Sequence, residues 1–229
     1  MNTRMISFTN VRAGLALSCL MAIFTASCAV RHPVYPRIEE AASIQVLGSV
    51  RIDPDKKWMI ISGFVNQVEG AIELLACGPG GKTHESMFVL LARPADIQAG
   101  LLLLGLKHGP PMEGLGMGPP IGDPVEVFVF WEHDGAEKVR PAEYFIFDYV
   151  TGRQVRHGAW IFNGSKVENG YFLANAEDSI IATYWDPWAI INLQSEAGSD
   201  DKRLMVDRQR VPPLHAPITM LIRPETSSP

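Results

Sequence analysis

From residue 58 onward the chain alternates short apolar runs with clusters of Gly, Pro, Asn and Asp, the pattern of brief strands separated by turns. Residues 58–65 and 71–77 are apolar and rich in β-favouring side chains, and Asn66-Gln67-Val68-Glu69-Gly70 between them suits a hairpin loop. Residues 86–92 form a third such run. The period changes at Pro94-Ala95-Asp96, which opens a helix to about Leu106. Proline is tolerated in a first turn, and Leu101 to Leu104 is apolar on most sides, so the pattern predicts a buried helix. Residues 105–124 hold too many Gly and Pro for helix or central strand and read as a loop. A strand resumes at 125–131 and ends on the turn His133-Asp134-Gly135. Residues 143–150 suit helix or strand equally. Further short strands fall at 160–162, 170–173, 179–185 and 218–223, and Asp186-Pro187 opens a turn or short helix to about Leu193. Strands dominate, helices are few and interspersed, and no internal repeat occurs. The pattern predicts an α+β fold, a single strand-rich mixed domain with one buried helix near 94–106.

The first 28 residues follow another logic. Arg4 and Arg12 precede an uncharged apolar run, 13–24, which ends in Thr25-Ala26-Ser27-Cys28. A basic flank, a short apolar core and small residues before a cleavage point make an export signal. The run of about a dozen residues is shorter than the roughly 20 needed to span a bilayer as a helix. Cys28 resembles the anchor position of a bacterial lipobox, where the thiol takes a diacylglyceryl group and the new N-terminus is acylated. Thr25 stands where that motif usually has Leu, and Cys19 is a competing thiol. Ala29 replaces the Asp that marks inner-membrane retention in enteric bacteria, which leans towards the outer membrane. The expected product is exported and lipid-anchored to the cell membrane or outer membrane, with its domain in the periplasm. Three parts are expected: a lipoprotein signal peptide at 1–27, the anchor and an extended tether at 28–57, and the domain at 58–229.

Charge and cysteine count narrow the function. Removing Arg4 and Arg12 leaves 18 of 20 basic residues against 25 acidic ones, a formal charge of −7. That sign disfavours nucleic acid, whose phosphates need a basic face. The expected partner is a membrane, through the lipid anchor. With Cys28 acylated and Cys19 removed, Cys77 is the one free thiol of the mature chain. An internal disulfide is then impossible, and so is a cysteine-ligated iron–sulfur cluster, which commonly takes four thiolates.

Several motifs carry candidate chemistry. Ala76-Cys77-Gly78-Pro79-Gly80-Gly81-Lys82-Thr83 matches a loosened nucleotide-binding loop, and Tyr144 to Asp148 mimics the apolar run whose Asp would hold Mg²⁺. Against it, Pro79 removes one donor N–H, residues 87–91 read as strand where a helix should start, and an exported protein meets little ATP. Cys77, His84 and Glu85 are candidates for nucleophile, base and orienting acid across a glycine-rich turn. A cysteine at a strand end is more often a small buried hydrophobe. His84 and Glu85 with His108, or with His133 and Asp134, offer metal-ligand chemistry, yet no histidines sit at paired i, i+4 spacing, so no metal or cofactor is expected. Residues 112–117 suit a flap over a binding surface or a plain connector. Trp131, Trp160, Trp185 and Trp188 are stacking surfaces if exposed and core if not. The Gly114-x-Gly116-x-Gly118 spacing follows a helix and is no dinucleotide fingerprint.

One stretch of motifs has a family look. Ile72-Glu73-Leu74-Leu75-Ala76-Cys77, then Gly80-Gly81-Lys82-Thr83-His84-Glu85-Ser86, then the Leu101 to Lys107 helix end resemble the YdjY-like domain of bacterial, notably planctomycete, proteins. The resemblance continues at Trp160-Ile161-Phe162-Asn163-Gly164-Ser165, at Asp186-Pro187 before Ile190-Ile191-Asn192, and at Arg210-Val211-Pro212-Pro213. Its most specific part is 82–86. The family's biochemical role is unassigned; some members carry a ferredoxin-like label, which one free thiol cannot serve. The resemblance implies that the 80–86 stretch is a family motif and not a stray nucleotide loop. Cys77, Lys82, His84, Glu85 and Ser86 form the candidate functional turn, with no catalytic role assigned. The first expectation is an envelope protein acting by binding or structural interaction; the alternative is a small exported enzyme using Cys77 and His84 in thiol or hydrolytic chemistry.

Overall fold

The computed structural model describes residues 35–38, 43–158 and 160–226. The export signal, Cys19 and Cys28 lie outside the described residues. Among the described residues sixteen strands follow in chain order. They are β1 (Gln45–Leu47), β2 (Val50–Asp53), β3 (Trp58–Val65), β4 (Leu74–Cys77), β5 (Ser86–Leu90), β6 (Asp123–His133), β7 (Ala136–Pro141) and β8 (Ile146–Asp148). After these come β9 (Arg153–Gln154), β10 (Trp160–Phe162), β11 (Val167–Glu168), β12 (Tyr171–Phe172), β13 (Ser179–Ala182), β14 (Ile191–Leu193), β15 (Leu204–Val206) and β16 (Pro217–Pro224). Two helices, α1 (Pro94–Leu103) and α2 (Leu173–Glu177), complete the list of longer elements.

Eight strands close into a barrel in the order β3-β16-β6-β10-β14-β13-β4-β5, with β5 returning to β3. Closure explains the strand-rich, helix-poor pattern, because a closed sheet has no unpaired edges to protect. Alternation along the strands sorts side chains to two faces. Met59, Ile61 and Val65 of β3, Val125, Val127 and Val129 of β6, and Ile218, Met220 and Ile222 of β16 join the main core cluster. Their neighbours Trp58, Ile60, Phe128, Phe130 and Leu221 form a second cluster on the outer face, covered by Tyr35, Ile38 and Ile44. Two strands therefore precede Trp58, and chain as early as Tyr35 packs on the barrel, in a region read from sequence as tether.

At the closing seam β3 pairs with β2, β16 and β5. Gly63 sits where they crowd: an added Cβ would lie 2.4 Å from the Val89 carbonyl oxygen. The partners of β3 also correct the expected hairpin, since β3 and β4 are not paired and residues 66–70 only link them. Helix α1 begins at Pro94 as expected and ends earlier, at Leu103. Pro94, Ile97, Gly100 and Leu101 are buried, but Leu102 and Leu103 are about half exposed, so the helix is one-sided and not buried all round. Residues 143–150 divide into a 3-10 turn, Ala142–Phe145, and β8. The stretch after Asp186 ends in a strand, β14, and not in a helix; α2 follows directly on β12.

Candidate functional site

The candidate turn is the crossover between two parallel neighbours. β4 and β5 pair in parallel, Leu74 opposite Ser86 and Cys77 opposite Val89. The eight residues 78–85 must carry the chain from the end of one strand to the start of the next, where a dozen or more are usual. The same device recurs at β13 and β14, which are parallel neighbours joined by residues 183–190, also eight. Both crossovers lie over one outer-face cluster of Leu74, Cys77, Val89, Ala182 and Ala189.

So short a crossover leaves little room, and glycines provide it. Asp178, in the left-handed conformation at the end of α2, is inserted into the first crossover. Its backbone carbonyl accepts from Gly78 N at 2.8 Å, and its carboxylate accepts from Gly80 N at 2.8 Å. An added Cβ on Gly78 would lie 2.1–2.2 Å from the Asp178 carboxylate. Gly81 N donates to Gly78 O at 3.1 Å and Thr83 N to Gly81 O at 2.8 Å. The amides that would cradle a phosphate thus meet the chain's own oxygen atoms. A 3-10 turn, Thr83–Glu85, follows and then β5, so no helix starts after Lys82. The supposed Mg²⁺ carboxylate, Asp148, is on β8 in a separate small sheet and is taken by Arg203 at 2.7 Å.

The five candidate side chains divide. Cys77 is fully buried, and burial pushes its thiol up, with a Ser86 hydrogen bond acting the other way. Ser86 is also buried and donates to Phe88 O at 2.9 Å. Lys82 lies between Glu85 at 3.2 Å and Glu73 at 3.5 Å. Burial pulls the Lys82 ammonium down, but its Glu85 hydrogen bond and the charges of Glu85, Glu73 and Asp186 outweigh that and raise it. Burial, then the Glu85 charge, raises Glu73. The His84 side chain is 79% exposed and meets Glu85 at 3.8 Å; among the described residues no hydrogen bond joins it to Cys77. The backbone of the turn is tied by Asn66, whose Nδ2 donates to Thr83 O at 2.6 Å and Ser86 O at 2.7 Å.

The second crossover carries a buried polar network. Asp186 accepts from Ser179 Oγ at 2.9 Å and Trp188 N at 2.8 Å, while its own N donates to Asn192 Oδ1 at 2.8 Å. Asn192 Nδ2 then donates to Asn163 Oδ1 at 3.0 Å. Burial raises Asp186 above the ordinary carboxylate range, against the Trp188 and Ser179 donors. Every one of these hydrogen bonds satisfies a group that would otherwise be costly to bury.

A family model for the YdjY domain matches residues 50–220. The chain belongs to the YdjY family. No curated protein and no solved structure matches it. Several of the segments that carried the resemblance fall, in this YdjY domain, on its two crossovers and the network beneath them: 80–86 on and just after the first, Asp186 on the second, and Asn163, just after β10, bonded to Asn192 of β14; 101–107 and 210–213 lie elsewhere.

The other sequence candidates separate in space. His108 Nδ1 faces Gly109 O, and His133 faces its neighbour Asp134. Among the described residues no group of three or more His, Cys, Asp or Glu is arranged to hold a metal ion. Trp160 and Trp185 are buried, Trp131 is half-buried against Phe145, and Trp188 is half-buried. The loop containing 112–117 encloses a cleft of about 570 Å³ of its own and is pinned by Gly116 N on Trp185 O and by Lys166 Nζ on Glu113 O.

One cluster had no signal in the sequence reading. His157 Nδ1 donates to Glu143 Oε1 at 2.5 Å, and that buried carboxylate also accepts from Gly158 N at 2.8 Å and Trp160 Nε1 at 3.0 Å. His157 Nε2 lies 3.6 Å from Glu126 Oε1, whose other oxygen takes Arg223 at 2.7 Å. The Glu143 hydrogen bond raises His157 above 6.5, with burial opposing. His157 and Gly158 line a cleft of about 390 Å³ with Arg156, Ser195 and Glu225.

Proposed function

We propose that this YdjY protein is a lipid-anchored component of the cell envelope whose barrel domain works by binding or structural interaction and not by catalysis at the 77–86 turn. The observation that carries this reading is the internal closure of the turn. Its amides hold Asp178, its lysine is neutralised by Glu73 and Glu85, and its thiol is buried without a histidine partner. A thiol nucleophile needs a nearby cation or base and access to substrate; Cys77 has neither arrangement with His84. The address rests on the sequence, in which a basic flank and a short apolar run end at Cys28. Among the described residues no helix is long and apolar enough to cross a membrane.

The test is Cys28→Ser in the producing bacterium. The variant is expected to move from the membrane fraction to the soluble one, and labelled palmitate to enter the wild type alone. Multiple acyl chains at one residue would hold far better than a single marginal chain. Retention of the variant in membranes, or no label in the wild type, would overturn the anchor. Residues Cys77 and His84 keep the enzyme alternative only if their substitution removes a phenotype while the protein stays folded.

A further inference from the structure

The segment that follows β9 reaches the outer face of β6 and is fastened there by His157. Its ring packs edge-on against Phe128, 6.2 Å between centroids, and its two nitrogens face carboxylates from different elements. Glu143 comes from the 3-10 turn Ala142–Phe145, and Glu126 from β6. Glu225, beyond β16, adds a third negative charge, and Arg223 of β16 balances Glu126. Arg156 is the charged neighbour on the same segment and lines the adjoining cleft.

We propose that His157 is a proton-dependent latch: as imidazolium it bridges Glu143 and Glu126 and holds residues 155–158 tightly on the barrel, and on losing a proton it gives up the Glu126 half of the bridge and loosens them. Both carboxylates have anchors outside the segment, Glu143 in the Trp160 indole and Glu126 in Arg223, while Gly158 N ties the segment to Glu143 in either protonation state. A neutral ring keeps Nδ1–H on Glu143 but turns the Nε2 lone pair towards the Glu126 oxygen, so an attraction becomes a repulsion. Loosening would widen the cleft bounded by Arg156, Ser195 and Glu225 beside the Phe128 side of the outer cluster. The direction follows from the raised folded-state affinity for the proton: the latch is fully closed below about pH 6.5 and opens as pH rises through the higher folded value.

The experiment follows amide exchange of residues 150–158 in the full chain, corrected for intrinsic rate, while the His157 ring is titrated by NMR. Protection in the wild type is expected to fall about tenfold or more across the His157 titration, with β3 and β16 unchanged. His157→Gln should lack the pH dependence, and Glu143→Gln should move the opening to lower pH, because the Glu143 hydrogen bond is the main cause of the raised value. Where Glu143→Gln does not fold, Glu126→Gln is expected to shift it the same way and to flatten the pH dependence of protection, because the Glu126 contact is the one that changes sign. Equal protection on both sides of the titration, or the wild-type pH dependence surviving in His157→Gln, would overturn the latch.

Discussion

Gly78→Ala should be costly for one local reason that a second substitution removes. The backbone of Gly78 lies outside the left-handed region, so alanine is acceptable there in conformation. The obstacle is Asp178, whose carboxylate atoms would sit 2.1–2.2 Å from the new methyl, against an ordinary contact of 3.4 Å or more. The carboxylate must retreat by more than an ångström, which breaks its 2.8 Å bond to Gly80 N. Overpacking of this kind costs about 1–3 kcal/mol and the lost hydrogen bond about 1 kcal/mol more. Asp178→Gly loses the same hydrogen bond but relieves a non-glycine residue at φ 51°, so its cost should be within about 1 kcal/mol. All three atoms nearest the added methyl belong to the Asp178 side chain, so the double variant removes them together. Urea unfolding of Gly78→Ala, Asp178→Gly and the pair, each on a Cys28→Ser background, gives the cycle. The account requires the double variant to be about 2 kcal/mol more stable than additivity. Additive effects within about 0.5 kcal/mol would refute the claim that Asp178 fills the glycine loop.

Other outcomes follow from the same geometry. Purified protein should show no rise in melting temperature with Mg-ATP, whereas a ligand at 100 times its dissociation constant would add about 2.7 kcal/mol; a clear shift would restore the nucleotide reading. His84→Ala should change stability by less than about 0.5 kcal/mol, because the side chain is exposed and tied to little; a larger loss in thermal melts would mean that it holds the turn after all. Asp148, held at about 2 from a usual 3.8 mainly by Arg203, adds stability above pH 3.8 that is lost as pH falls towards 2. The penalty of Asp148→Asn should be about 1–2 kcal/mol near neutrality, allowing for solvent screening, and should shrink in melts at the acid end; a penalty that does not vary with pH would contradict the pairing.

The strand runs were legible because alternation records burial locally. Met59 and Ile61 face one way, and Trp58 and Ile60 the other, whichever strands lie beside them. Barrel closure was not legible, since β3 meets β16 across most of the chain and a local loop such as 66–70 says nothing about that pairing. Leu102 and Leu103 were read as buried because an all-apolar run shows no face; which leucines are covered depends on what packs against α1. At the turn, sequence supplied the glycines and the lysine but not their partner, because Asp178 lies 98 residues from Gly80. His157 was missed for a related reason: a single histidine with Glu143 14 residues earlier matches no spacing motif, and only the fold brings them together.

The most direct test of the closed turn is the chemistry of Cys77 itself. In a Cys19→Ser, Cys28→Ser variant Cys77 is the sole cysteine of the sequence, so alkylation reports on it alone. Burial keeps it protonated and covered. Iodoacetamide should therefore label the native protein only at the rate set by unfolding, with the denaturant dependence of global unfolding and no enhancement from His84. Rapid labelling of the folded protein, slowed by His84→Ala and titrating below the ordinary thiol value of about 8.5, would contradict the account and promote catalysis at Cys77.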